Sequence, residues 1–180
     1  PHQAPLFRAL TAKSGVSVTL MAGEHLTEER ANLGWEAPEV PDGIVQIDPD
    51  RDEICETLEN KRHRTVHVFS GISGHRLPKA ALSLALKRNV NISIQSESPK
   101  YLGLAGQARR VRGLFNKVRL SKEICFILAI GHMAVDWYRD IGYSENIIAP
   151  YTYVVRTPKH SCCRVIHGSS PRLLFLGRPE

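Results

Sequence analysis

The chain has 180 residues, of which 42% are hydrophobic and 7% aromatic, and this length and composition are typical of one globular domain. No apolar run reaches about 18 residues, so the sequence excludes a membrane-spanning helix and predicts a soluble protein. Because the chain begins at Pro1 rather than at an initiator methionine, we interpret it as part of a longer protein.

The net charge of +6 is unevenly distributed along the chain. Residues 1–60 hold 4 Lys/Arg against 12 Asp/Glu, a net −8, whereas residues 61–180 hold 20 against 6, a net +14. This separation predicts that one face of the protein meets an anion, and it leaves phosphates, nucleic acid and an acidic membrane surface open as alternatives.

The pattern of apolar residues predicts helices and strands that alternate along the chain. The predicted helices, in chain order, span residues 5–12, 50–61, 78–88, 105–120 and 132–141. The predicted strands span residues 16–21, 43–47, 65–69, 90–94, 124–130 and 172–176, with short extended pieces at 147–149 and 153–155. Residues 24–42, which are acidic and polar, are interpreted as a surface loop. Repeated alternation of this kind predicts an α/β fold with a mainly parallel sheet and helices on both faces.

Four cysteines lack any Cys-x-x-Cys spacing, which favours reduced thiols in a cytoplasmic protein. A cluster of possible metal ligands consists of His160, Cys162, Cys163 and His167. Adjacent cysteines rarely fit the tetrahedral geometry that zinc prefers, so we predict a loop there rather than a metal site.

Besides the loop at His2 to Pro5, two loops are predicted at the carboxyl ends of parallel strands, where open α/β sheets bind their ligands. The loop Ser70-Gly71-Ile72-Ser73-Gly74 has glycines that let backbone amides approach a ligand and hydroxyls that bind sugar or phosphate oxygens, although a plain turn is the alternative. In the second loop, Gln95-Ser96-Glu97-Ser98-Pro99, we assign Glu97 as the catalytic or acceptor-binding carboxylate, against the alternative of a turn or capping residue.

Several segments resemble the family 4 glycosyltransferases, which are retaining enzymes of the GT-B fold. The resemblance is carried by Phe126-Ile-Leu-Ala-Ile-Gly131, Met133-Ala-Val-Asp-Trp-Tyr138, Ile141-Gly142, Glu145-Asn-Ile-Ile148, Pro150-Tyr151 and Tyr153, and by Leu173-Leu-Phe-Leu-Gly-Arg178. The opening Pro1-His-Gln-Ala-Pro-Leu-Phe-Arg-Ala-Leu10 is similar to the first loop and helix of that family, and the order of these segments carries the resemblance along nearly the whole chain.

The resemblance implies a Rossmann-like three-layer domain that forms the acceptor half of a GT-B enzyme. Residues 1–170 would be this N-terminal domain, and residues 171–180 the first strand of, or linker to, a nucleotide-sugar-binding domain. The expected reaction transfers a sugar from a nucleotide-sugar donor to a glycan or lipid-linked acceptor, without a metal or other cofactor. Since the donor half would lie beyond residue 180, we expect the chain alone to be inactive.

The resemblance also suggests roles for individual residues. His2 and Gln3, in the loop that matches the family's acceptor-side loop, are expected to bind the acceptor. Ser70 and Gly71 are expected to bind it from their strand-end loop. His132, at the start of a predicted helix, is also expected to bind it, with a local polar contact as the alternative. Gly177 and Arg178 are expected to hold the donor's diphosphate, for which a guanidinium is well suited. Two positions depart from the family pattern: Ser96 stands where many relatives have a histidine, and Arg156 where they have an aspartate.

The only charges between Glu97 and Glu123 are basic, and the predicted helix 105–120 carries an apolar stripe of Val111, Leu114, Phe115 and Val118. Two interpretations stay open: peripheral docking on an anionic membrane at the inner face of the cell, or an ordinary core helix with a positive outer face. A third possibility, nucleic-acid binding, is disfavoured because interleaved aromatic residues and a known reading motif are lacking. The alternative to the enzyme is a noncatalytic flavodoxin-like module that binds a phosphorylated ligand or partner.

Overall fold

The protein is described here from a computed structural model, which covers residues 4–13, 15–25, 27–32, 45–60, 64–99 and 103–153. The helices are α1 (Ala4–Thr11), α2 (Glu28–Asn32), α3 (Arg51–Glu59), α4 (Arg76–Arg88), α5 (Gly103–Leu120) and α6 (His132–Asp140), with a short 3-10 turn at Glu145–Ile147. The strands are β1 (Leu20–Ala22), β2 (Val45–Ile47), β3 (His67–Ser70), β4 (Ile92–Glu97), β5 (Ile124–Ile130) and β6 (Ile148–Tyr151).

The strands form two parallel sheets, one of order β1-β2 and one of order β3-β4-β5-β6. Each strand of the larger sheet is adjacent to the next in sequence, and helices α4, α5 and α6 connect them. Parallel neighbours require such crossover connections, so the alternation of strands and helices produces this topology directly. The predicted α/β fold with a parallel, helix-flanked sheet is confirmed.

The core lies around β4 and β5. Ile92, Ile94 and Ile127 are at most 1% exposed, which is the burial expected of central strands covered on both faces. Helix α4 contributes Ala81, Leu82 and Ala85 to the same core, and α6 contributes Ala134, Trp137 and Tyr138. Because its first four residues are all buried, β4 lies at the centre of the domain.

Local sequence signals account for several element boundaries. Asp50 caps α3 by accepting hydrogen bonds from the amides of Asp52 and Glu53, and the Glu53 carboxylate accepts one from the Asp50 amide in return. This reciprocal arrangement satisfies amides that the first helical turn leaves without partners. The end of α4 has a signal of its own: Asn89 adopts the left-handed conformation (φ 56°) that commonly ends a helix.

Some boundaries differ from the sequence prediction. Residues 16–19 are not part of a strand, because β1 is limited to Leu20–Ala22, where it pairs with β2. The segment predicted to be loop contains the short helix α2, whose first turn is acidic, as the helix dipole favours. β4 extends to Glu97 because it pairs with β5 as far as Ile130, so part of the predicted 95–99 loop is strand.

Helix α5 contradicts one of the two interpretations of its apolar stripe that the sequence left open. Its buried residues are Gly106, Gly113 and Leu120, whereas the stripe is exposed, Val111 and Phe115 each to 68%. A Cβ added at Gly113 would lie 3.0 Å from Cζ2 of Trp137 and 3.3 Å from Cδ1 of Ile141. The helix thus packs through its backbone, and the interpretation of the stripe as core was wrong.

No helix in the described part of the chain has both the length and the apolar character needed to cross a membrane.

Candidate functional site

The carboxyl ends of β3 and β4 open into a cleft of about 490 Å³, which we call the strand-end cleft. Its walls come from the β3–α4 loop, the end of β4, one side of α5 and one side of α6, together with Ile130 and Tyr153. The cleft lies where parallel α/β sheets bind ligands, and its volume falls in the range of small-molecule sites.

The β3–α4 loop forms one wall of the cleft. Its first residue after β3, Gly71, has a φ of 77°, a conformation that favours glycine, and its amide donates to the Gln95 carbonyl oxygen at 2.8 Å. The loop ends at His75, which precedes α4 without a capping side-chain hydrogen bond, and the first turn of α4 contains no acidic residue. The amides at the start of α4 therefore remain suited to an anionic or strongly polar group.

Gln95 lies at the base of the cleft. It follows the buried residues Ile92, Ser93 and Ile94 in β4, is itself 7% exposed, and is paired with Ser70 of β3 and Leu128 of β5 in the strand register. Its Nε2 has no hydrogen-bond partner among the described residues. Leaving a buried amide without a partner costs about 1–3 kcal/mol. Because Nε2 is almost fully shielded from solvent, a ligand oxygen recovers that cost only if the Gln95 side chain turns toward the cleft.

Glu97, the last residue of β4, is joined to Tyr153 by a hydrogen bond. The Tyr153 hydroxyl donates to Oε1 of Glu97 at 2.7 Å. Partial burial of the phenol and this bond to the carboxylate raise the pKa of Tyr153 to about 12. Tyr153 thus holds the carboxylate in a fixed orientation at the cleft, with Oε2 as the second oxygen for an incoming hydroxyl.

Aromatic residues of α6 form a rigid wall. Tyr138 is 3% exposed and meets Tyr143 edge-to-face, with ring centroids 5.5 Å apart and an interplanar angle of 74°. Burial raises the pKa of Tyr138, and a hydrogen bond with the Ser96 side chain offsets part of that rise. Trp137 lines the cleft beside Tyr138 and packs against Gly113.

The α5 wall is positively charged. Arg109 and Arg112 line the cleft together with Gly113 and Asn116, and Glu97 is the one acidic residue among the lining residues that the structure describes. The cleft therefore combines a basic wall, a helix N-terminus and one carboxylate. The chemistry of such a set suits a ligand that has hydroxyl groups and an anionic group.

The residues predicted as a site fall into three groups. Ser70, Gly71 and Glu97 lie together in the strand-end cleft. His132 is the first residue of α6, is exposed, and is not among the residues that line the cleft. The remaining predicted site residues, His2, Gln3, Gly177 and Arg178, lie outside the described residues. Also outside them are Arg156 and the residues where a loop was predicted rather than a metal site, His160, Cys162, Cys163 and His167.

Sequence reasoning did not single out Gln95, Arg112 or Tyr153 as site residues. Gln95 was detectable in principle, because a polar residue that alternates with isoleucines in a central strand is either paired or functional. Arg112 and Tyr153 reach the cleft only through the placement of α5 and the chain after β6, and no local signal in the sequence reports that placement.

Comparisons of the chain with protein-family models, with curated proteins and with solved structures found no match.

Proposed function

We propose that the chain is the acceptor-binding half of a retaining glycosyltransferase, and that the strand-end cleft holds the acceptor. The observation that carries this proposal is the convergence of Ser70, Gln95 and Glu97 in one cleft at the carboxyl ends of β3 and β4. These groups offer hydroxyl, amide and carboxylate partners, which is the set that a polyhydroxylated acceptor needs.

The proposed chemistry assigns a positioning role to this half of the enzyme. Glu97, oriented by Tyr153, accepts a hydrogen bond from the acceptor hydroxyl that attacks the donor sugar, and Gln95 fixes a second acceptor oxygen. Holding the hydroxyl beside the anomeric carbon, on the face that the leaving group departs from as retention requires, supplies much of the rate enhancement. In the family that the sequence resembles, a second domain holds the nucleotide-sugar donor; the proposal includes such a domain and a cytoplasmic location.

The site proposal is tested first by binding to the chain itself. Amide resonances should be followed by NMR while a panel of neutral and phosphorylated saccharides is added. A saccharide that occupies the cleft should shift the Gln95 side-chain amide and the backbone amides of Gly71 and Gly74. Gln95→Leu should weaken its binding about tenfold, the effect of losing one hydrogen bond of roughly 1.4 kcal/mol. The control Gln107→Leu, on the exposed surface of α5, should leave binding unchanged.

The catalytic proposal is tested in the complete enzyme. Glu97→Gln should lower kcat much more than it weakens donor binding, because the amide preserves the size of the side chain and removes the negative charge at the acceptor. Glu56→Gln, an exposed change on α3, is the matched control. Unchanged turnover in a folded Glu97→Gln enzyme would remove Glu97 from the site.

One observation favours a second candidate, a noncatalytic module that binds a phosphorylated ligand. The start of α4 has no capping side chain and no acidic residue in its first turn, and Arg112 lines the same cleft. These features suit a phosphate. Tight binding of phosphate monoesters that Arg112→Gln abolishes and Glu97→Gln leaves intact, with no transferase activity in the complete protein, would favour this module over the enzyme.

A further inference from the structure

We propose that the outward face of α5 docks on an anionic lipid bilayer. The outward face consists of Leu104, Val111, Leu114, Phe115 and Val118, together with the basic residues beside them. This inference concerns a surface other than the strand-end cleft, and it holds whichever ligand the cleft binds.

The five apolar side chains of this face are exposed by 92%, 68%, 44%, 68% and 77%, in chain order. Eleven large hydrophobic residues are exposed in the described part of the protein, and these five all lie on one helix. Their spacing of three, four and seven residues places them on one side of α5. A concentrated exposed apolar surface of this kind marks an interaction site rather than ordinary surface composition.

The opposite side of α5 explains why the stripe is free to face outward. Gly106, Gly113 and Leu120 recur every seven residues and form the buried side of the helix. Gly113 makes the close approach to Trp137 and Ile141, so the helix is held by backbone contact and by Leu120, and not by the residues of the stripe. The domain core therefore does not require the stripe.

The charges beside the stripe identify the partner. The helix carries Arg109, Arg110, Arg112, Lys117 and Arg119, and no acidic residue occurs between Glu97 and Glu123. Arg110 and Arg119 are exposed and, by helical geometry, lie on opposite flanks of the stripe. An apolar stripe with basic residues on both flanks matches a helix that lies in the bilayer interface, with its basic groups at the level of the lipid phosphates.

Other partners fit these features less well. A nucleic acid would neutralise the basic residues but leave the apolar stripe in water. A second copy of the same face would oppose like charges, which disfavours association. An anionic bilayer satisfies both the stripe and the charges. Since Arg112 and Asn116 of the same helix line the strand-end cleft, docking would also bring that cleft close to the lipid headgroups.

The experiment is co-sedimentation of the full chain with vesicles of phosphatidylcholine, with and without phosphatidylglycerol. We expect binding only when phosphatidylglycerol is present. The pair Arg110→Gln and Arg119→Gln should weaken binding about 30-fold, at roughly 1 kcal/mol per basic residue near the surface. The pair Phe115→Ser and Val118→Ser should weaken it by at least about tenfold, because less apolar surface is buried.

The matched control is the pair Val66→Ser and Met133→Ser, which removes apolar side chains exposed by 47% and 46% elsewhere on the protein. This pair should bind vesicles as the wild type does. Contact depth is measured with Phe115→Trp, whose added fluorescence should be quenched by brominated lipid, whereas that of Val66→Trp should not. Circular dichroism melting of each variant confirms that it is folded.

Several outcomes would overturn the inference. These are no binding to phosphatidylglycerol vesicles, equal binding to vesicles without phosphatidylglycerol, or binding that the pair Phe115→Ser and Val118→Ser leaves unchanged. If light scattering shows a dimer that Phe115→Ser and Val118→Ser dissociate, and vesicles are not bound, a second copy of the chain is the partner. If oligonucleotides bind equally well to the wild type and to the Phe115→Ser, Val118→Ser variant, and vesicles are not bound, a nucleic acid is the partner. Glu97→Gln should not alter vesicle binding, so failure of the cleft proposal remains distinguishable.

Discussion

Helices α5 and α6 pack against each other, and they contribute different kinds of residue to that contact. α6 buries Ala134, Trp137 and Tyr138, the large apolar and aromatic side chains that its amphipathic pattern marks as its inner face. α5 buries two glycines and Leu120 and exposes the stripe that its own pattern marks as inner. An apolar stripe thus identifies a face that avoids water, but small residues on the opposite face decide which side meets the protein.

The largest expected effect comes from removing the main anchor of α6. Trp137→Ala should lower the free energy of unfolding by about 3–5 kcal/mol, because a large buried side chain leaves a cavity between α5 and α6. Urea denaturation followed by far-UV circular dichroism measures the change. A loss below about 1 kcal/mol would mean that the α5–α6 contact does not depend on this residue.

The glycine contact on the other helix should be the next most sensitive position. Gly113→Val places methyl groups where a Cβ alone would lie 3.0 Å from Trp137, so α5 must move outward. The expected cost is about 2 kcal/mol, within the range found for overpacked sites. Ala108→Val, at an exposed position of the same helix, is the control, and helix propensity limits its cost to about 0.5 kcal/mol.

The buried phenol of α6 makes a smaller, pH-dependent contribution. Burial raises the pKa of Tyr138 above its ordinary value, whereas the unfolded phenol ionises near about pH 10. Stability is therefore unaffected below about pH 10 and falls as the pH rises toward the folded pKa, with a slope of at most about 1.4 kcal/mol per pH unit for one group.

Tyr138→Phe should reduce this alkaline slope, measured by urea denaturation at several pH values above about 9. Burial also raises the pKa of Tyr143, so part of the slope should remain in Tyr138→Phe and should fall further when Tyr143→Phe is added. Tyr153, whose pKa is raised as well, accounts for a remaining alkaline slope in the double variant. An unchanged slope in the double variant would assign the alkaline loss of stability to other groups.

The smallest effect is expected on the outward face of α5. Phe115→Ser should change the free energy of unfolding by no more than about 0.5 kcal/mol, as is usual for exposed positions. The comparison with Trp137→Ala then measures how differently the two helices use their large apolar residues. A cost near that of a core substitution would show that some part of the chain covers Phe115.

Much of the fold was predictable because periodicity reports burial directly. The strand predicted at 124–130 is β5, and the helix predicted at 132–141 is α6 to within one residue. The strand predicted to begin at Val16 begins only at Leu20, because the local pattern of apolar residues does not specify where strand pairing starts. The orientation of α5 stayed open in the sequence because a stripe does not reveal that glycines permit a closer approach on the opposite side.

The site was predictable to the extent that it follows from topology. Ser70 and Glu97 end neighbouring parallel strands, so the ligand-site rule for open sheets places them at one edge. The partner of Glu97 was not predictable, since Tyr153 is 56 residues away in sequence. The Gln95 amide depends on the depth of β4 in the core, which appears only once all of the neighbouring elements are in place.

The sheet order has a further consequence for β3, which among the described strands has a neighbour on one side only. The amide of His67 donates to the carbonyl oxygen of Asn91, just before β4, and that of Gly71 to the carbonyl oxygen of Gln95 in β4, so odd-numbered residues bond inward. In a parallel ladder the even-numbered Val68 and Ser70 then point their amides away from β4. Hydrogen exchange along this strand should therefore alternate residue by residue, with Val68 and Ser70 exchanging fast beside slowly exchanging neighbours, unless another segment pairs with that edge.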